Sequence, residues 1–134
     1  MNPELRTKWI NALKQELYPK AEFELIHDPQ SREQPLEQTE ILSEPSFCVV
    51  GVLLKLHAEM DTNLVLENGV FTYLGRQREE DLDYCVESLP NELIGELGIT
   101  RERLRELVQL NDTSKWSFPR IAQWIEEDPY LNPN

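Results

Sequence analysis

The sequence predicts a small α+β domain, mainly helical, with about five helices around a central apolar helix at 47–60 and one antiparallel hairpin at 64–74. Three observations carry this. The run Phe47 to Met60, FCVVGVLLKLHAEM, is the most apolar stretch of the chain. Asn68-Gly69 stands between two runs rich in branched and aromatic residues. The last third repeats apolar residues at helical spacing, behind residues suited to capping.

Taken in order, Asn2-Pro3-Glu4 opens a helix with a capping Asn, Pro at the first helical position and an acid in the first turn. Leu5, Trp9, Ala12, Leu13 and Leu17 recur at helical spacing until Pro19 stops the run, and Trp9 reads as a core anchor. Between Ala21 and His27, Glu22 and Glu24 alternate with Phe23 and Leu25, as in a short strand. Residues 28–45 read as an acidic surface loop, with a brief strand at Thr39 to Ser43.

For 47–60 two readings compete. Leu54, Leu56, Ala58 and Met60 alternate with Lys55, His57 and Glu59, as in a half-buried strand. Length and the start favour a helix: Ser46 or Ser43 is placed to cap it, and Pro45 is tolerated in a first turn but not in a central strand. On that helix Phe47, Val50, Leu54 and Ala58 share a stripe, and Gly51 beside them admits a close backbone approach. The helix is the preferred reading.

Leu64–Glu67 and Val70–Leu74 flank Asn68-Gly69, the dipeptide that suits both central positions of a type I′ turn. Gly75 to Tyr84 is charged and reads as a loop; Asp81 and Asp83 there have no partnering His or third acid nearby in sequence. Ser88-Leu89-Pro90 starts a short helix bearing Leu89, Leu93, Ile94 and Leu97, with Gly98 as its left-handed stop. Thr100 caps the next helix between Ile99 and Leu104, which Asn111-Asp112 ends. Ser117 caps the last helix, whose stripe is Phe118, Ile121, Ala122 and Ile125, with Trp124 on its flank. The tail 129–134 should fray.

The chain has 134 residues, enough for one domain with a real core over 1–134. Met1 to Lys20 is charged throughout and lacks the pattern of a secretory leader, and no apolar run is long enough to span a membrane. Its two cysteines, Cys48 and Cys85, make no disulfide framework and read as cytoplasmic thiols. A net charge of −12 weighs against nucleic acid and anionic membrane surfaces. Residues 1–88 hold 8 basic and 17 acidic side chains, a net −9, much of it between Ala21 and Pro45.

No chemistry-bearing motif emerges. The two Cys and two His lack metal-ligand spacing, the glycines are scattered, and neither cofactor nor metal is implied. On a helix Cys48 and His57 lie about 13 Å apart along the axis and do not meet. The segment from Leu104 to Glu127 has the look of a helix-turn-helix opening, but no basic recognition helix follows.

The motifs Trp9-x-x-Ala12-Leu13, Phe47-Cys48 with Gly51-Val52-Leu53, Leu89-Pro90, and Leu110-Asn111-Asp112 before Phe118, Ile121-Ala122 and Ile125-Glu126 cover most of the chain. In these it resembles uncharacterised small proteins encoded in tailed-phage and bacterial genomes. Val49 stands where the resemblance would place a second Cys, which removes dithiol chemistry. Glu16-Leu17 replaces a Gly-containing turn. The resemblance implies no activity; it implies a helix at 47–60 and a Leu-Asn-Asp turn whose Asn111 and Asp112 cap helices.

The expected function is therefore a protein-interaction or regulatory module. Its partner is another protein, with a basic surface, met through Glu33, Glu37, Glu40 and Glu44 or through Trp124 and Tyr130. The alternative is a small enzyme using Cys85 or His57 with a carboxylate. A homodimer is compatible with either.

Overall fold

The computed structural model describes residues 1–21, 25–27, 46–60, 62–67, 70–75, 79–82 and 86–128, with the backbone alone at 27 and 79–81. Among these residues five helices and two small antiparallel sheets share one apolar core.

Helix α1 (Pro3–Lys14) begins where its sequence says it should, with Asn2 Oδ1 accepting from Glu4 N at 2.8 Å. It ends earlier than the spacing predicts. Glu16 takes a left-handed φ of 49°, and the Leu17 amide donates back to the Ala12 carbonyl at 3.1 Å. That closure turns the chain out of the helix before Pro19 can stop it, and Leu17 is left 56% exposed.

The central apolar run is a helix, α2 (Val49–Ala58). Val49 to Leu54, Leu56 and His57 are buried, so it is enclosed on nearly every side. Ser46 does not cap it, and Ser43 lies outside the described residues. Strand β2 (Ser46–Phe47) pairs antiparallel with β1 (Ile26–His27), which commits Ser46 to extended backbone. Cys48 becomes the cap instead, its Sγ accepting from Gly51 N at 3.3 Å. Gly51 itself lies against the Leu25 backbone, where an added Cβ would stand 1.7 Å from the carbonyl oxygen.

The hairpin comprises β3 (Leu64–Glu67) and β4 (Val70–Leu74), registered from Leu64 against Tyr73 to Glu67 against Val70. The Asn68-Gly69 turn lies outside the described residues. A third strand, β5 (Glu79–Asp81), pairs with β4 inside the stretch expected to be a loop. Strand β1 joins β2 rather than the hairpin, and the 39–43 strand expectation falls outside the described residues.

A 3₁₀ turn at Val86–Ser88 leads to α3 (Asn91–Leu97), which has no side-chain cap and stops at Gly98 with φ 71°. Thr100 and Ser117 cap α4 (Arg101–Asp112) and α5 (Phe118–Glu127), accepting from Arg103 N and Arg120 N. Helix α2 packs against α1, α4 and β3, while α1 runs along α5. The Trp9 indole N–H donates to the Val49 carbonyl at 3.0 Å and ties α1 to the start of α2. No helix among the described residues is long and apolar enough to cross a membrane.

Candidate functional site

Both ends of α2 carry buried polar chemistry. At its N-terminus, Asn111 reaches in from α4: Oδ1 accepts from Val49 N at 3.1 Å, while Nδ2 donates to the Ala21 carbonyl at 2.9 Å and to Asp112 Oδ1 at 2.6 Å. The side chain thus supplies a partner to an amide that no preceding helical turn can satisfy. Cys48 lies in the same knot. Burial pushes its thiol up to about 12, with the charge of Asp112 adding to the rise, so it stays protonated and unreactive near neutral pH.

At the other end, His57 occupies the last turn of α2, where a helix dipole favours positive charge. Its ring is almost enclosed, with the side chain 8% exposed, and Nε2 lies 3.3 Å from Glu96 Oε1 on α3. The second oxygen of Glu96 accepts from the Tyr73 hydroxyl on β4. One carboxylate, 31% exposed, therefore joins the central helix, the short helix and the sheet. A carboxylate only accepts, so with Glu96 ionised the ring nitrogen facing it carries the proton. An oriented imidazole and a partly accessible acid are components of acid–base chemistry, and equally of a structural tie.

The sheet presents a third feature. Leu64, Leu66, Phe71 and Tyr73 point into the core. The opposite parity holds Val65, Glu67, Val70, Thr72 and Leu74, with Val65 facing Thr72 and Glu67 facing Val70 across the register. Val70 is 39% and Leu74 43% exposed. Beyond them the backbone of Glu79 pairs with Leu74, and that of Asp81 with Thr72.

Of the residues singled out from sequence, Trp124 is half-buried against the core on α5, and His57 finds its carboxylate in Glu96. Glu33, Glu37, Glu40, Glu44, Cys85 and Tyr130 lie outside the described residues. No group of three or more His, Cys, Asp or Glu among the described residues is placed to hold a metal ion. Comparison with other proteins adds no identity: no protein-family model matches, and there is no significant match among curated proteins or solved structures.

Sequence reasoning missed Glu96 and Tyr73, because no short spacing links them to His57, and it gave Asn111 a capping role without naming α2 as the helix it serves. The outer sheet face was detectable. In Val70-Phe71-Thr72-Tyr73-Leu74 the second parity holds Val70 and Leu74 around Thr72, more apolar than the clean alternation of a half-solvated strand.

Proposed function

We propose that this chain is a protein-interaction module of regulatory rather than catalytic type, and that the outer face of the β3–β4–β5 sheet is where its partner docks. One observation carries the reading: Val70 and Leu74 on β4 stay exposed around Thr72, while only the Phe71 and Tyr73 side lies in the core. Isolated exposed apolar residues are ordinary, but Val65, Val70 and Leu74 occupy one face of a single hairpin, and apolar residues gathered on one exposed face mark association sites. The net charge of −12 supports a protein partner over nucleic acid. The acidic stretch with Glu33, Glu37, Glu40 and Glu44, together with Trp124 and Tyr130, belongs to the proposal as further contact surface.

The test is quantitative capture from the cell of origin with native bait and with a Val70→Thr/Leu74→Thr bait. Threonine keeps strand propensity and removes apolar surface. Proteins enriched on native bait should be lost from the variant, with unfolding midpoints unchanged. An identical captured set on both baits would reject the sheet face as the docking surface.

A second reading, the small enzyme, is favoured by the His57–Glu96–Tyr73 arrangement. It expects small-molecule fragments that shift the His57 ring resonances and no longer do so in Glu96→Gln. A fragment screen leaving those resonances unmoved would remove it.

A further inference from the structure

We infer that the segment docking on the outer sheet face is basic and amphipathic, with apolar residues on one side and Lys or Arg on the other; this rests on the interaction reading above. Charge complementarity is the argument. Strands β3, β4 and β5 carry Glu67, Glu79, Glu80 and Asp81 and no Lys or Arg. In the register, Glu67 stands opposite exposed Val70 on one side of β4, and Glu79 and Asp81 pair with Leu74 and Thr72 on the other. Val70 thus lies beside the acidic position 67 on β3, and Leu74 beside the acidic position 79 on β5, with Val65 on β3 two residues from Glu67. Arg76 and Arg78 lie outside the described residues, and by sequence the whole span 64–84 keeps an acidic excess.

Apolar positions bordered by acidic ones match a segment whose apolar side is flanked by cations: the apolar residues supply desolvation and the acidic excess steers the partner and speeds its approach. A second copy of the chain fits poorly. Two molecules of net charge −12 repel.

The probe is a fluorescent 14-residue peptide of sequence LKKLLKLLKKLLKL, with a control in which every Lys is Glu. Anisotropy titrations use native protein, Val70→Thr/Leu74→Thr and Glu67→Lys, with sedimentation equilibrium on the native chain and on Val70→Thr/Leu74→Thr. The Lys peptide should bind and the Glu peptide should not. Affinity should fall by roughly tenfold in each variant, the scale expected for removing interfacial apolar contacts or reversing a rim charge.

Equal affinity for both peptides, or Lys-peptide binding untouched by the face variants, would overturn the basic-segment inference. A dimer dissociated by Val70→Thr/Leu74→Thr would replace it with self-association. In both cases the capture experiment still decides separately whether the face is a docking surface at all.

Discussion

Gly51 shows how one missing side chain fixes the architecture. With the Leu25 carbonyl 1.7 Å from where a Cβ would stand, Gly51→Ala forces backbone apart and should cost about 3 kcal/mol or more, read as a lowered urea midpoint. The close approach was legible from a lone glycine in an apolar helix; which backbone makes it was not. Asn111→Ala leaves the Val49 amide and the Ala21 carbonyl without this partner in the core and should cost about 2–4 kcal/mol by the same assay. The sequence hides that role, because an Asn near a helix end reads as punctuation, and its partners at 21 and 49 are remote along the chain. Cys48 yields a pH prediction. The unfolded thiol ionises around its ordinary 9.0, whereas the folded one keeps its proton up to about 12. Stability is then fully present below pH 9.0 and lost as pH climbs towards about 12, with a slope up to about 1.4 kcal/mol per pH unit. Cys48→Ser, which has no thiol to ionise, should show a flatter decline in denaturant titrations over that range.

At the scale of elements, helices with caps and stops written locally were the legible ones. Asn2, Thr100, Ser117 and Gly98 act as their positions predict. Boundaries set by distant pairing were not. Helix α2 starts at Val49 because Ser46 and Phe47 are held by Ile26 and His27, a contact no local signal contains. Strand β5 forms from charged Glu79 to Asp81 because β4 offers it an edge, a tertiary preference that overrides composition. Two glycines of α3 make a paired prediction. Gly95 faces open space, so Gly95→Ala should raise stability by about 0.5–1 kcal/mol. Gly98, at φ 71° with Met1 Cα 2.7 Å from an added Cβ, should lose about 1 kcal/mol or more on the same substitution. Thermal unfolding of the two variants beside the native chain checks both signs.

Across the whole molecule, helices and two small sheets close around α2 so completely that its polar ends become structure: Asn111 at the start, His57 and Glu96 at the finish. What the fold leaves facing outward on β4 is the apolar side that neither helix nor loop among the described residues takes into the core. That asymmetry was readable in Val70 to Leu74, while the side left uncovered had to come from the packing. In the proposed function a partner covers it. The most direct measurement is in-cell photo-crosslinking with the reactive side chain placed at Leu74, on the face, and in a separate variant at Glu102, exposed on α4. A discrete heavier adduct at position 74 and none at 102 is the predicted result. Equal labelling at the two positions, or an adduct at 102 alone, would contradict it.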